Sequence, residues 1–149
     1  MWERWNSYTI KNGFGPVSMN SFNHYAYGAV QDWMMMYSAG IQRDEKSPAY
    51  KHIILQPRIS RSLDEVKASY NSVYGKIESH WIRNKEVPSY TYYCTIPANT
   101  EATLNLKVHP QQVEVLQGKE SATLQSNHEK DEVTSIHLEP GQYTFRIND

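Results

Sequence analysis

The stretch EVKASYNS, residues 65–72, decides the fold class of most of this 149-residue chain. Val66, Ala68 and Tyr70 alternate with polar residues, so every second side chain points to the same face of the backbone. This period of two indicates a β-strand with one buried and one solvated face, which is typical of antiparallel sheets. From Pro48 onward the same period recurs, and it replaces the helical period of the residues before it.

Eight short strands, separated by turn residues, are predicted in this region. They cover residues 50–59, 65–72, 76–83, 89–96, 102–108, 113–116, 133–138 and 143–147. Many short strands of this kind predict a mainly β fold, an antiparallel sandwich or barrel. The polar residues 126–132 are interpreted as a surface tip without chemistry. The sequence therefore predicts two parts, a short helical segment within residues 1–44 and a β-domain over residues 45–149.

One long helix is predicted ahead of the strands, over residues 21–39, with Asn20 or Ser21 as its N-cap and Gly40 as its terminating residue. Its apolar residues run most of the way round the helix, which is typical of a helix buried among other helices. No second long helix is predicted that could cover it. We therefore expect the isolated chain to self-associate through residues 22–37, or to fold this helix back onto its own sandwich.

The composition excludes several classes of function. The chain has 15 Lys and Arg residues and 16 Asp and Glu residues, for a formal net charge of −1. It therefore lacks the excess of basic residues that is typical of a nucleic-acid-binding protein. No apolar run reaches the roughly 18 residues that a membrane span needs, and no signal segment is evident, which leaves the compartment open. The six histidines show no metal-ligand spacing, and no cofactor is predicted. The single cysteine, Cys94, is interpreted as an inert strand residue.

Two segments near the N-terminus carry the candidate chemistry, WERW at residues 2–5 and MNSFNHYAYGAV at residues 19–30. Indole faces are good platforms for sugar rings, and a carboxylate held between two of them can act as an acid or a base. The alternative is that Trp2 and Trp5 are core aromatics and that Glu3 is an ordinary surface residue. For His24, the alternative to a contact with substrate is a partly buried imidazole bonded to backbone near a helix start.

Together these two segments resemble the C-terminal end of the catalytic barrel of bacterial α-L-rhamnosidases, an inverting glycoside hydrolase family. Later segments resemble the junction and the C-terminal β-domain of that family, more weakly between residues 107 and 133. They are AGI (39–41), YKHII (50–54), ASY (68–70), YGKI (74–77), TIPANT (95–100) and GQYTF (141–145). The resemblance implies that the β-domain is an antiparallel, jelly-roll-like β-sandwich and that an (α/α)6 barrel precedes it on the same polypeptide. Residues 1–44 would then be the last part of that barrel.

The resemblance also implies a role for each candidate residue. Glu3 falls at the position of the general base, and His24 falls where the family has a histidine that contacts sugar hydroxyls. Trp2 and Trp5 are expected to line or support the sugar pocket. The general acid of the family lies in an upstream acidic cluster that no segment here matches, so this chain alone is expected to be inactive. The implied substrate is a glycan that carries terminal α-L-rhamnose, in plant glycosides or polysaccharides.

A second function, from a different class, fits the β-domain. A non-catalytic sandwich can bind carbohydrate or stabilise a neighbouring domain, since sandwiches host many unrelated roles. Exposure of Trp81 or Tyr93 in a shallow ridge would favour sugar binding, whereas burial of both rings would favour a structural role. For the isolated sandwich we expect the structural role.

Overall fold

The chain divides into two units, residues 1–34 and residues 35–149. The computed structural model describes residues 2–118, 123–127 and 133–148. The first unit contains the short hairpin formed by β1 (Tyr8–Thr9) and β2 (Gly13–Phe14), a 3-10 turn at Val17–Met19, and the helix α1 (Tyr25–Trp33). A π-helical turn, Met34–Ser38, follows α1 directly.

The predicted start of the helix is wrong. His24, rather than Asn20 or Ser21, is the N-cap residue, and its side chain makes no capping hydrogen bond. The reason is long-range: Ser21 accepts a hydrogen bond from the backbone N–H of Glu3 and donates its own N–H to the Glu3 carboxylate. Because both backbone groups of Ser21 are engaged with a distant segment, this residue does not begin the helix.

The second unit is a β-sandwich of two five-stranded sheets. Its strands are β3 (Ile41–Arg43), β4 (His52–Leu55), β5 (Glu65–Ser72), β6 (Gly75–Asn84), β7 (Ser89–Ile96), β8 (Glu101–Leu106), β9 (Val113–Gln117), β10 (Thr123–Asn127), β11 (Val133–Leu138) and β12 (Gly141–Asn148). The first sheet has the order β10-β11-β8-β4-β3, and the second has the order β5-β6-β7-β12-β9. Strands β4 and β8 are parallel, and the other neighbours are antiparallel. The predicted mainly β, antiparallel fold class is confirmed.

Two features of the sandwich differ from the strand prediction. Strand β3 was not predicted, yet it forms the edge of the first sheet through pairing with β4. Strand β10 was not predicted either. It starts at Thr123 and includes Ser126 and Asn127, the first two residues of the segment that was interpreted as a polar tip. Residues 128–132 of the predicted tip lie outside the described residues. Both strands are short and lie at a sheet edge, where a strand pairs on one side only. The alternation of apolar and polar residues along them is therefore weak.

The core lies between the two sheets, and the alternation of β7 shows how it is built. Tyr90, Tyr92, Cys94 and Ile96 of this strand are buried, whereas Tyr93 points to the other face and is exposed. These buried residues form one cluster with apolar residues of β4, β8 and β11 in the opposite sheet. The period of two that the sequence shows is therefore the period of burial, as a sandwich requires.

Gly40 connects the π-helical turn to β3, and its conformation requires glycine. Its φ is +77°, and a Cβ at this position would approach the backbone nitrogen of Pro57 to 2.1 Å. The prediction that Gly40 terminates the helical segment is confirmed. A side chain here would both strain the backbone and collide with the segment that follows β4.

Replacing Trp81 by Ala should destabilise the sandwich by about 3–5 kcal/mol. The Trp81 side chain is fully buried, its indole N–H donates to the carbonyl of Ser38 at 2.9 Å, and its ring packs edge-on against Tyr90. Urea unfolding followed by the circular dichroism of the strands measures the loss. The control is Ile82→Ala on the outer face of the same strand, which should cost about 1 kcal/mol or less. Equal losses in the two variants would contradict the proposed core.

Candidate active site

Two reciprocal hydrogen bonds join Glu3 to Ser21, and one of them holds the Glu3 carboxylate. The backbone N–H of Glu3 donates to the carbonyl of Ser21 at 2.7 Å, and the N–H of Ser21 donates to Glu3 Oε2 at 3.0 Å. Glu3 Oε1 makes no hydrogen bond to the described residues, and the side chain is partly exposed. One carboxylate oxygen is thus fixed by backbone, while the other is available to a water molecule or a ligand.

Trp2 packs against the same segment of chain as Glu3. Its ring meets Phe22 edge-on, with the centroids 4.9 Å apart, and Phe22 in turn meets Phe14 at 5.6 Å. The Trp2 side chain nevertheless stays 46% exposed. One part of the Trp2 indole thus packs, as a core aromatic would, and the rest is open to solvent, where a sugar could contact it.

The loop after Glu3 is held by its own backbone. The N–H and the hydroxyl of Ser7 both donate to the carbonyl of Arg4, and the carbonyl of Ser7 accepts from the N–H of Gly15 at 2.8 Å. Ser7 is fully buried. These bonds connect the WERW segment to the β1–β2 hairpin, so the position of Glu3 depends on the local fold of the first unit.

The other two predicted site residues have different surroundings. His24 stands at the N-cap of α1, three positions after Ser21, and its ring stacks on Tyr25 with the centroids 6.3 Å apart. Trp5 is 100% exposed and has no ring contact or hydrogen bond with the described residues. Nothing in the described part of the chain covers its indole, and its role stays a prediction.

Ser21 is the residue that sequence reasoning missed. It was interpreted as a helix cap, whereas the structure uses its backbone to hold the candidate carboxylate. Its side chain carries no part of this contact, so no residue-type signal in the sequence could have revealed it.

No metal site is evident in residues 2–118, 123–127 and 133–148, where no three His, Cys, Asp or Glu side chains come together as ligands would. Within the same ranges, no helix is long and apolar enough to cross a bilayer. Burial raises the pKa of the Cys94 thiol well above its usual range. A thiol kept protonated in the core is a poor nucleophile, in agreement with the inert role expected for it.

Asp44, which follows β3, is hydrogen-bonded to His52 of β4. His52 Nδ1 lies 2.8 Å from Asp44 Oδ2, and the imidazole must donate because an ionised carboxylate only accepts. His52 Nε2 lies 2.9 Å from the hydroxyl of Thr103. The bonds from His52 and from the N–H of Lys46 lower the pKa of Asp44. The stabilisation is therefore present above the ordinary pKa of the carboxyl group and is lost as the pH falls through the lowered value.

The two rings that were chosen to distinguish a structural from a sugar-binding sandwich have opposite environments. Trp81 is fully buried, as a structural role predicts. Tyr93 is 41% exposed on the outer face of the second sheet, as a sugar-binding role predicts. The sandwich therefore has a packed aromatic core and a separate exposed aromatic ring.

Comparison with known proteins identifies two matching regions. Residues 40–121 match the bacterial alpha-L-rhamnosidase C-terminal domain, and residues 1–37 match the bacterial alpha-L-rhamnosidase six-hairpin glycosidase domain. An alpha-L-rhamnosidase of Streptomyces avermitilis is 34% identical over 119 residues, which are 79% of this chain and 11% of that protein. An alpha-L-rhamnosidase of Formosa agariphila is 38% identical over 108 residues, which are 71% of this chain and 11% of that protein.

Solved structures agree with the sequence matches. The crystal structure of the Streptomyces avermitilis alpha-L-rhamnosidase complexed with L-rhamnose superposes with a TM-score of 0.72 at 29% identity, over 99% of this chain and 14% of that one. The alpha-L-rhamnosidase of Dictyoglomus thermophilum, at 24% identity and a TM-score of 0.70, shares the fold over 100% of this chain and 16% of that one. The chain thus spans about a tenth of the length of the curated relatives that it matches. It belongs to the bacterial α-L-rhamnosidase family of glycoside hydrolases and corresponds to the C-terminal part of those enzymes.

Proposed function

We propose that this chain supplies the general base, Glu3, of an inverting α-L-rhamnosidase that removes terminal α-L-rhamnose from plant glycosides or polysaccharides. The observation that carries the proposal is the state of the Glu3 carboxylate. Oε2 is held by the N–H of Ser21 at 3.0 Å, and Oε1 is left for water. This carboxylate lies in the segment that matches the six-hairpin glycosidase domain.

The chemistry of inversion needs two carboxyl groups on opposite sides of the sugar. Glu3 accepts a proton from water through Oε1, and the water oxygen forms a bond to the anomeric carbon. The bond between that carbon and the glycosidic oxygen breaks, and a protonated carboxyl group donates its proton to the departing oxygen. This second group is the general acid, which we assign to an N-terminal barrel of the same polypeptide.

His24, Trp2 and Trp5 would bind the sugar. A neutral imidazole both donates and accepts a hydrogen bond, which suits two neighbouring hydroxyls of rhamnose. The exposed part of Trp2 and the fully exposed indole of Trp5 offer apolar surface to the faces of a pyranose ring. The missing walls of such a pocket would come from the same barrel, because a sugar site must enclose its ligand on several sides.

The helix α1 presents apolar side chains that the same barrel would cover in the intact enzyme. Tyr25, Val30 and Trp33 are all more than half exposed. Self-association of the isolated chain through residues 22–37 stays a prediction. Light scattering over a concentration series tests it, because the apparent molar mass should rise with concentration.

The full chain alone should release no more than background amounts of the phenol from an aryl α-L-rhamnoside. Without a general acid the leaving oxygen would depart unprotonated, and a single proton-transfer group contributes about 10²- to 10⁴-fold to such reactions. The assay uses the whole Streptomyces avermitilis enzyme as its positive control. If the chain alone turned over the substrate, and Glu3→Gln abolished that turnover, the catalytic pair would not be divided between two parts of the polypeptide. This outcome would contradict the proposal.

A chimaera tests the proposed function directly. In it, this chain replaces the matching C-terminal part of the Streptomyces avermitilis enzyme, to which it is 34% identical over 119 residues. The chimaera should hydrolyse the aryl α-L-rhamnoside, and proton NMR taken early in the reaction should show β-L-rhamnose as the first product. Accumulation of the α anomer first would contradict inversion, whereas a folded but inactive chimaera would contradict the assignment of the base to this chain.

A further inference from the structure

The outer face of the second sheet forms a groove that the proposed hydrolysis does not use. Along β6 the side chains at 77, 79 and 81 are buried, so those at 76, 78 and 80 point away from the core. The groove above them has a volume of about 400 Å3, which lies within the range of small-molecule sites. The residues that line it lie on β5, β6, β7, β12 and the end of β9.

One cross-strand row of side chains runs through this groove. Strand register places Lys67 opposite His80, His80 opposite Tyr93, and Tyr93 opposite Thr144. At about 4.8 Å between neighbouring strands, the row spans roughly 14 Å. It therefore presents a cation, an imidazole, a phenol ring and a hydroxyl in line across four strands.

Tyr93 is the aromatic platform of the row. The imidazole of His80 stacks on its ring, with the centroids 5.2 Å apart and the planes 24° from parallel. A hydrogen bond of 2.7 Å between His80 Nε2 and Glu65 Oε1 holds the imidazole in turn. On the other side of Tyr93 stands Thr144, whose side chain is too short to cover the ring. One ring face is thus fixed by the protein and the other is left to a ligand, so little conformational entropy is lost on binding.

Polar groups with fixed positions surround this ring. Glu78 accepts a hydrogen bond from the hydroxyl of Thr95 at 2.9 Å and forms an ion pair with Lys76. The contact with Lys76, the bond from Thr95 and the nearby charge of Lys67 lower the pKa of Glu78, so its carboxylate stays an ionised acceptor. Gln142 and Thr144 of β12 line the same groove and add amide and hydroxyl groups. Such groups can satisfy sugar hydroxyls on both sides of a stacked ring.

Lys67 adds a charge at one end of the row. Its side chain is exposed and makes no contact within salt-bridge distance of a carboxylate of the described residues, although its charge acts on Glu78, which is in direct contact with Lys76. An exposed ammonium group beside a sugar-sized groove favours a ligand that carries an anionic group there.

We propose that this groove binds a short acidic oligosaccharide, with a pyranose ring on the free face of Tyr93 and a uronate carboxylate at Lys67. A protein partner fits the groove less well, because Tyr93 stands alone among polar groups, and protein interfaces centre on clusters of apolar and aromatic residues. The proposal is independent of the role given to Glu3, because it places a binding site on the exposed face of the sandwich and not in the helical segment.

The test is a titration of the isotopically labelled full chain with a rhamnogalacturonan tetrasaccharide, in which rhamnose alternates with galacturonate, followed by amide NMR shifts. Amides of β6, β7 and β12 should shift saturably, with a dissociation constant in the millimolar range, about 10⁻⁴ to 10⁻³ M. Tyr93→Ala should weaken binding at least tenfold. The matched control is Tyr70→Ala. Tyr70 is equally exposed at 41%, lies on β5, two strands away from Tyr93 in the same sheet, and packs against Tyr50.

The charge is tested separately. Lys67→Ala should weaken binding of the tetrasaccharide several-fold and reduce its dependence on salt, whereas Lys107→Ala, which removes an exposed lysine outside the groove, should change neither. Dispersed amide spectra of all four variants verify that they are folded.

Three outcomes would overturn the proposal. They are the absence of saturable shifts, equal affinity of the Tyr93→Ala and Tyr70→Ala variants, and shifts confined to residues 2–34. The last outcome would place the sugar at the candidate active site alone. Conversely, a chimaera without hydrolytic activity leaves this titration unaffected, so failure of the proposed function and failure of this inference are distinguishable.

Discussion

Replacing Glu3 by Ala in the chimaeric enzyme should lower kcat by about 10²- to 10⁴-fold, the usual contribution of a general base. By transition-state arithmetic this is a loss of about 2.7–5.5 kcal/mol. The physical reason is that water attacking the anomeric carbon must lose a proton, and Glu3 Oε1 is the free carboxylate oxygen that would accept it. Steady-state kinetics with an aryl α-L-rhamnoside measure the loss, and KM should change much less than kcat.

Azide separates a catalytic from a structural role of Glu3. Azide is already an anion, so it attacks without the help of a base and should restore turnover of the Glu3→Ala variant. The product should be β-L-rhamnosyl azide, because attack from the face opposite the leaving oxygen inverts the anomeric centre. If azide restores no turnover and thermal stability falls with the substitution, Glu3 is a structural residue.

Ser21→Ala is the control for this experiment. Ser21 contacts Glu3 through its backbone N–H and carbonyl alone, and both survive the substitution. The activity of Ser21→Ala should therefore stay near that of the unchanged chimaera. A loss as large as that of Glu3→Ala would show that the Ser21 hydroxyl has a role of its own.

Removing residues 1–43 should destabilise the sandwich by about 3–8 kcal/mol, whereas removing residues 1–34 should leave it cooperatively folded. The longer deletion removes Ile41, which is buried in the core, and the edge strand β3. It also removes the carbonyls of Ser38 and Ala39, which accept from the indole of Trp81 and the hydroxyl of Ser79. Loss of a buried Ile side chain costs about 2–5 kcal/mol, and the indole N–H of Trp81 left without its acceptor about 1–3 kcal/mol. The hydroxyl of Ser79 keeps the hydroxyl of Tyr92 as a partner, 3.0 Å away.

Thermal melts of the two deletions, followed by β-type circular dichroism, decide the boundary. The division between residues 44 and 45 that the sequence suggests stays a prediction until then. A sharp transition at the same temperature for both deletions would support that division. A broad melt or aggregation of the longer deletion alone would place the start of the autonomous unit near Met35.

The strands show how far sequence reasoning reaches in this fold. The predicted bounds 65–72, 89–96 and 133–138 coincide with β5, β7 and β11. These strands lie within their sheets or form long pairs, so burial imposes a clear period of two on their residues. Strand β3 has three residues, too few for a period to appear, and only its pairing with β4 makes it a strand.

The sequence by itself determined the fold class, the family and the candidate residues. The hydrophobic period, the turn residues and the motif spacing are local properties, so they can be recognised in the sequence without the three-dimensional structure. The tertiary structure alone decided that Ser21 holds Glu3 across 18 residues, that Trp81 is buried while Tyr93 is exposed, and that Lys67, His80, Tyr93 and Thr144 share one row. These facts depend on strand register and on backbone hydrogen bonds between distant segments. Backbone groups are the same in every residue, so residue types do not encode such bonds one by one.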